Sequence, residues 1–226
     1  MSIAARYESI IAEMAQCAQS AGRNPAEIKL VAVSKTVGLA EVQEAIEAGI
    51  NNFGENRPEE LAKKKQAFPE QTWHFIGNIQ SRKIPEIVAH ADLIHSLYQL
   101  HHVEHIEKAA SALNKVQDVL IEVNVSGEAS KGGVLSGEVS ALLEECFSKP
   151  HLRVCGFMTM APLGDLSVAK NCFTELAQLA KRLRQAFSEQ NTAHEFRELS
   201  MGMSQDWREA VVTEATMVRL GRAIFE

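Results

Sequence analysis

Short apolar runs alternate with amphipathic stretches along the whole chain. The runs are a few residues long and are bounded by Gly, Pro, Asn or charged residues, which is typical of buried strands. The stretches between them repeat their apolar residues every three or four positions, as amphipathic helices do. The pattern predicts eight strands, at Leu30–Ser34, Asn52–Phe53, Trp73–Ile76, Leu93–Ser96, Val119–Asn124, Arg153–Met158, Glu198–Ser200 and Met217–Leu220.

Helices are predicted in most intervals between these strands. A leading helix is predicted over Ile3–Ala21, and another helix ends near Gly49. The strongest helical period covers Leu166–Phe187. Because strands and helices alternate, we expect parallel strands that are joined by crossover helices.

Eight such units in 226 residues predict an α/β fold, a single (β/α)8 TIM-type barrel over residues 1–226 with an extra N-terminal helix. A doubly wound open sheet is the alternative. That fold would normally place a Gly-x-Gly-x-x-Gly turn after the first strand. The residues there, Ser34–Gly38, do not match this motif.

Composition excludes several classes of function. The net charge of −6 and the pI near 5.8 argue against a partner such as nucleic acid or an anionic membrane, which require a basic face. The triplet Lys63–Lys65 is predicted to be the solvated face of a helix. No apolar run approaches the ~20 residues of a membrane span, and no signal peptide is recognisable. The four scattered cysteines lack CxxC spacing, so we expect a cytoplasmic protein with reduced thiols and no zinc site.

The candidate chemistry lies at the predicted strand ends, where barrels of this type build their active sites. Lys35 follows the first strand directly. A lysine at the mouth of a buried strand is expected to be poorly hydrated, which favours the free amine that reacts with a carbonyl cofactor. The alternative is a lysine whose amine simply extends into solvent.

The loops after the last two strands resemble an anion site. Ser200 and Ser204 supply hydroxyls, and Gly202 and Gly221 allow close approach of the backbone. Ser204 is also predicted to be the N-cap of the following helix. An ordinary strand–turn–helix with a serine cap remains the alternative.

Arg219 alternates with apolar neighbours in the last strand, and a buried arginine requires a partner. The partner is predicted to be a carboxylate such as Glu122 or Glu198, or else a ligand. His74 is predicted to be a satisfied core histidine. The pair His101 and His105 has metal-ligand spacing but no evident third ligand, so both are expected to be solvated, on a polar surface that includes His102.

Together these segments resemble the YggS/PROSC family of pyridoxal 5′-phosphate (PLP) homeostasis proteins. The resemblance covers essentially the whole chain. It is carried by Ala32–Thr36, Asn52–Asn56, Trp73–Gly77, Val123–Glu128 with Lys131 and Gly133, Gly156–Met158, Leu199–Ser204 and Met217–Gly221 with Ala223–Phe225.

The resemblance implies a fold like the barrel domain of alanine racemase (PLP fold type III) without a C-terminal β domain. It implies PLP as an internal aldimine on Lys35, with Arg219 facing the pyridine nitrogen. The implied phosphate-binding residues are Ser200, Gly202, Ser204, Gly221 and the backbone of Arg222, and the implied neighbours of the ring are Asn56 and Met158. Departures from the family pattern are Arg57, Arg222 and the end of the sequence at Glu226.

A cofactor site with an arginine at the ring nitrogen predicts a PLP carrier more than an enzyme. The resemblance implies that a racemase of this fold would need a second acid/base group, a tyrosine from another domain. The only tyrosines in this sequence are Tyr7 and Tyr98. The hypothesis is a monomer that holds PLP reversibly in vitamin B6 and amino-acid homeostasis. The alternatives are a low-activity amino-acid racemase and a module that delivers PLP to apo-enzymes.

Overall fold

A computed structural model of the protein describes residues 1–128, 132–162, 164–187 and 194–226. Nine strands are described: β1 Lys29–Val33, β2 Asn52–Glu55, β3 Thr72–Phe75, β4 Leu93–Leu97, β5 Gln117–Asn124, β6 Val134–Leu135, β7 Leu152–Met158, β8 Glu198–Ser200 and β9 Met217–Leu220. The α-helices in the same ranges are α1 Ile3–Ser20, α2 Leu39–Glu47, α3 Pro58–Ala67, α4 Ile84–His90, α5 Leu100–Ala112, α6 Val139–Phe147, α7 Leu166–Ala186, α8 Trp207–Val212 and α9 Arg222–Phe225.

Eight strands close into a parallel barrel, which confirms the predicted fold. The hydrogen-bonded order is β4-β3-β2-β1-β9-β8-β7-β5, and β4 also pairs with β5 to complete the ring. All of these pairings are parallel, so the carboxyl ends of the strands lie at one mouth of the barrel. The short strand β6 pairs only with β5 and was not predicted.

The predicted elements differ from the observed ones mainly at their ends. Strand β1 stops at Val33, so Ser34 lies just beyond it and Lys35 lies in the following turn. Helix α1 precedes the barrel as predicted, and the hydroxyl of Ser2 accepts a hydrogen bond from the Ala5 amide at its first turn. No helix of the described ranges is long and apolar enough to span a membrane.

The interior of the barrel is part apolar and part polar. An apolar cluster of Val31, Leu93, Leu120, Met158 and Met217 is separate from the larger core between the sheet and the helices. The buried polar side chains include two histidines, a serine and an arginine from four of the barrel strands. This polar part of the interior lies beneath the candidate site.

Candidate functional site

A cavity of about 390 Å³ opens at the carboxyl ends of the strands. Its volume is within the range of small-molecule sites, which is roughly 300–1,000 Å³. The described residues that line it are Val33, Lys35, Asn56, Ile76, Gly77, Asn78, Met158, Met160, Met203, Ser204, Gln205, Asp206, Arg219, Gly221 and Arg222.

The structure brings seven of the nine predicted site residues to this cavity: Lys35, Asn56, Met158, Ser204, Arg219, Gly221 and Arg222. Their role as cofactor ligands stays a prediction. Ser200 and Gly202 are not part of the described lining. Lys131, which contributed to the family resemblance, lies outside the described residues.

Lys35 is exposed to solvent, in the turn that follows β1. The expectation that a buried strand end would leave this lysine poorly hydrated is therefore wrong. Most of β1 is buried, but the strand ends at Val33, and Lys35 lies in the exposed turn two residues later. The amine is thus open both to the cavity and to solvent.

A buried ion pair lies beside the turn that carries Lys35. The ammonium of Lys64, on α3, contacts Glu55 Oε1 at 2.6 Å and donates to the carbonyl of Ser34 at 2.8 Å. The Ser34 hydroxyl donates to the same carboxylate oxygen at 2.6 Å. Lys64 is only 1% exposed, so the prediction of a solvated face is wrong at this position. The pair ties the residue before Lys35 to β2 and α3.

Arg219 forms the floor of the cavity and is 5% exposed. Its Nη1 donates to Ser200 Oγ at 2.7 Å, and its Nη2 donates to the carbonyl of Thr159 at 3.0 Å. Burial lowers the pKa of Arg219 to about 10, so the group stays cationic at neutral pH.

Neither carboxylate that was predicted to pair with Arg219 does so. Glu198 contacts Lys29 at 2.5 Å, at the other end of the barrel strands. Burial raises the pKa of Glu122 to about 7, and the charge of Arg219 opposes that rise. Among the described residues, no carboxylate oxygen lies within 4.0 Å of the Arg219 guanidinium nitrogens.

Ser200 begins a chain of hydrogen bonds that crosses the inside of the barrel. Its Oγ lies 2.9 Å from His95 Nδ1, His95 Nε2 lies 2.9 Å from His74 Nδ1, and His74 Nε2 lies 3.2 Å from Asn52 Oδ1. We call Arg219, Ser200, His95, His74 and Asn52 the polar chain. The Ser200 hydroxyl is fully buried in it, so the structure does not place this hydroxyl in the phosphate cup where it was predicted. His74 is a satisfied core histidine, as predicted.

The loop after β8 differs from the predicted phosphate cup in two respects. Gly202 has a positive φ of 91°, and a Cβ there would lie 2.6 Å from the Cβ of Ala210, so the glycine allows α8 to pack closely. The N-cap of α8 is Asp206, so the prediction of Ser204 as the cap is wrong. Asp206 Oδ1 accepts from the Met203 amide at 2.6 Å, and burial raises the pKa of this carboxyl.

Two glycines bring the backbone to the edge of the cavity. A Cβ on Gly77 would overlap the carbonyl oxygen of Asn56, so position 77 has no room for a side chain. A Cβ on Gly221 would lie 3.3 Å from the carbonyl oxygen of Val33. The cavity wall is therefore main chain at both places.

The lining also contains residues that were not predicted to bind. Ile76, Gly77 and Asn78 follow β3, Met160 follows β7, and Asp206 precedes α8. The feature of the sequence that could have identified most of them is their position after a strand. That signal marked the Gly77–Asn78 pair as a strand end, but it gave no chemical reason to choose them.

The histidines of α5 have no part in this cavity. His101 and His105 are exposed, as predicted for solvated side chains. His102 is 2% exposed, which corrects the expectation of a polar surface, and its Nε2 lies 3.2 Å from the Ser81 hydroxyl. His102 is thus a buried histidine whose described partner, Ser81, is not a member of the polar chain.

Comparison with known proteins gives consistent relatives. The family model described as the alanine racemase N-terminal domain matches residues 7–226. The pyridoxal phosphate homeostasis protein of Aquifex aeolicus is 36% identical over 228 residues, which cover 100% of this chain and 98% of that protein. The protein of the same name from Vibrio alginolyticus is 38% identical over 231 residues, which cover 99% of this chain and 97% of that protein.

Solved structures also match 95–100% of this chain. PipY of Synechococcus elongatus PCC7942, with PLP bound, has a TM-score of 0.85 and 30% identity, and the match covers 100% of both chains. Alanine racemase of Clostridium difficile has a TM-score of 0.69 at 16% identity, covering 95% of this chain and 56% of that one, which shows a shared barrel fold.

Proposed function

This chain belongs to the pyridoxal phosphate homeostasis protein family, which has the alanine racemase N-terminal domain, and on that premise we propose that it binds PLP reversibly. The observation that carries the proposal is one cavity that contains both an accessible lysine amine, Lys35, and a buried arginine, Arg219. The protein takes part in PLP homeostasis by holding the cofactor and releasing it.

The residues of the cavity fit the groups of PLP. When bound, PLP supplies an aldehyde that condenses with a primary amine. Lys35 supplies that amine. Arg219 would donate to the pyridine nitrogen, and Asn56 and Met158, which line the same cavity, would contact the ring.

The phosphate is held at the rim of the cavity. The hydroxyl of Ser204 and the backbone at Gly221 bind its oxygens, and Gly221 has no side chain to obstruct them. Arg222 is exposed at the same rim and adds a positive charge to its backbone contact. Ser200 and Gly202 support this site from behind instead of touching the phosphate.

An arginine at the ring nitrogen favours storage over catalysis. A permanently charged guanidinium disfavours a proton on the adjacent ring nitrogen, because two like charges would then be in contact. The ring then withdraws electrons weakly, so Arg219 supports binding of PLP more than activation of a substrate.

The described lining also lacks a suitable second acid/base group. It contains neither Tyr7 nor Tyr98. Its only carboxylate is that of Asp206, which already accepts a hydrogen bond from the Met203 amide. We therefore propose that the protein does not turn over amino acids at a substantial rate.

An absorbance titration tests the binding proposal. Wild-type protein that is mixed with PLP should develop a band near ~420 nm, typical of a cofactor linked to a lysine amine. Lys35→Ala should lose this band, whereas the control Lys63→Ala, at an exposed position of α3, should keep it. A colourless wild type would overturn the proposal.

A racemisation assay tests the absence of turnover. The PLP-loaded protein is incubated with L-alanine or L-serine, and the D isomers are measured over time against free PLP. A rate no higher than that of free PLP is expected. Robust formation of the D isomer, lost in Lys35→Ala, would instead identify a racemase.

Two further parts of the proposal concern partners. The exposed Lys35 is accessible from solvent, which suits transfer of PLP to PLP-dependent apo-enzymes. Transfer that is faster than spontaneous release of PLP would show direct delivery. We also propose that the protein is a monomer, which sedimentation velocity tests directly.

A further inference from the structure

The directions of the hydrogen bonds in the polar chain follow from its Asn52 end, and the contact at its Arg219 end is compatible with them. At one end, the guanidinium of Arg219 donates and has no acceptor, so Ser200 Oγ accepts. At the other end, Asn52 Oδ1 can only accept from His74. In the structure, Nδ2 of this amide donates to Asn51 Oδ1 at 2.7 Å.

The two histidines between these ends must each carry one proton, on Nε2. A neutral imidazole has one donor nitrogen and one acceptor nitrogen. Because His74 donates to Asn52 through Nε2, its Nδ1 accepts from His95 Nε2. The Nδ1 of His95 then accepts from the hydroxyl of Ser200, whose oxygen keeps its lone pairs to accept from Arg219.

Burial supports neutral rings at both positions. It lowers the pKa of His74 to about 4; the charge of Asp92 opposes this shift, and the charge of Lys29 adds to it. It also lowers the pKa of His95 well below its usual value, and the adjacent His74 and Arg219 act in the same direction. A second proton on His74 would place two donors face to face, at His74 Nδ1 and His95 Nε2.

We propose that Ser200, His95 and His74 are positioning residues, which hold the Arg219 guanidinium in one orientation toward the cavity through a one-way chain of hydrogen bonds. The chain crosses the barrel from β9 and β8 to β4, β3 and β2. The inference rests on the proposed function only for its effect on PLP; the direction of the chain stands on the protein alone.

The chain replaces a counter-ion. Each member presents its acceptor toward Arg219 and its donor away, and hydrogen bonds in series polarise one another. The cation is thus stabilised by aligned neutral dipoles instead of a carboxylate. Its charge remains available to an anionic ligand in the cavity.

Nitrogen NMR of the histidine rings in the ligand-free protein tests the direction. At pH 7, His74 and His95 should both be neutral and should both carry hydrogen on Nε2. Assignment follows from loss of each signal in His74→Gln and His95→Asn. A ring with hydrogen on Nδ1, or a charged ring, would overturn the proposal.

A set of variants tests the effect on Arg219. His95→Leu removes the acceptor for Ser200 and should raise the Kd for PLP about tenfold, the loss of one hydrogen bond to an oriented charged group. His95→Asn restores an acceptor near the position of Nδ1 and should stay within about threefold of wild type. Ser200→Ala, a small change, should weaken binding as His95→Leu does.

The matched control is His102→Leu, which removes a buried histidine outside the polar chain. It should lower Tm without changing the Kd. If His95→Leu and Ser200→Ala also lowered Tm alone, the chain would be structural only and the proposal would fail. If wild type itself bound no PLP, the proposed function would fail, while the NMR measurement would still decide the direction of the chain.

Discussion

Among the residues that the structure describes, two lysine or arginine side chains are buried, and they are stabilised in different ways. Lys64 is 1% exposed and contacts the carboxylate of Glu55. Arg219 is 5% exposed and donates to a serine hydroxyl and a backbone carbonyl. The first charge is neutralised within the protein, whereas the second is only solvated by dipoles.

The difference separates a structural role from a ligand-binding role. A paired cation such as Lys64 has little attraction left for a ligand, but its loss would strand a buried carboxylate. An unpaired cation such as Arg219 keeps its attraction for an anion. The partners of each cation, more than its burial, indicate what it does.

The largest expected effect is on stability, at Lys64. Lys64→Met should lower the free energy of unfolding by about 3–5 kcal/mol, because Glu55 would remain buried without its cation. Urea unfolding measures this loss. Lys63→Met, at the exposed neighbouring position, should change stability by no more than about 0.5 kcal/mol.

The double variant Lys64→Met with Glu55→Gln separates the pair from the packing around it. Because both charges are removed together, most of the lost stability should return. If Lys64→Met alone cost less than about 1 kcal/mol, the Lys64–Glu55 pair would not be the structural element described here.

Lowering the pH should destabilise the protein through the buried neutral histidines of the polar chain, which His74 illustrates. The pKa of His74 falls from 6.5 to about 4 on folding, so only the unfolded chain binds this proton between those values. Stability is therefore full above pH 6.5 and decreases as the pH falls toward 4, by about 3 kcal/mol. In His74→Gln this part of the pH dependence should disappear, as unfolding measured at pH 7, 5.5 and 4.5 would show. An unchanged slope in the variant would contradict the assignment.

Replacement of Arg219 should affect the ligand more than the fold. Arg219→Met should weaken PLP binding by about 2 kcal/mol, roughly thirtyfold, because a charged hydrogen-bond donor is lost. Its unfolding free energy should change by only about 1 kcal/mol, since no buried carboxylate is stranded. Arg219→Lys keeps the charge but loses the planar two-point geometry, so its Kd should lie between those of Arg219→Met and wild type. Equal losses of stability in Arg219→Met and Lys64→Met would remove the distinction between the two cations.

The smallest effect is expected at the exposed Arg222. Arg222→Ala should weaken PLP binding by less than about 1 kcal/mol, because an exposed charge is well screened. The loss should shrink as salt is raised. Arg182→Ala, an exposed control on α7, should leave the Kd unchanged at all salt concentrations.

The sequence predicted the barrel well because its strands are short, buried and regularly spaced. β8 and β9 were predicted at their observed bounds, and Lys35 and Arg219 were both placed at the cavity. The positions of the predicted strand ends determine which residues lie at the mouth of the barrel. These positions do not determine the conformation of the turn after the strand, so the exposure of Lys35 was not predicted.

The errors concern partners that only three-dimensional packing brings together. The hydroxyl of Ser200 was predicted at the phosphate, but His95, which is 105 positions away in sequence, holds it inside the barrel. Lys64 was predicted in solvent, because a run of three lysines conceals the one that faces inward. A pattern of residue types shows neither contact.

At Gly77, only a hydrogen atom fits against the carbonyl of Asn56. The cavity wall there is peptide backbone. Removal of a reactive side chain such as Lys35 therefore leaves the shape of the wall unchanged. A Lys35→Ala protein should therefore still accept flat, phosphate-bearing molecules that have no aldehyde. Such molecules would act as pharmacological chaperones, which raise Tm by occupancy alone.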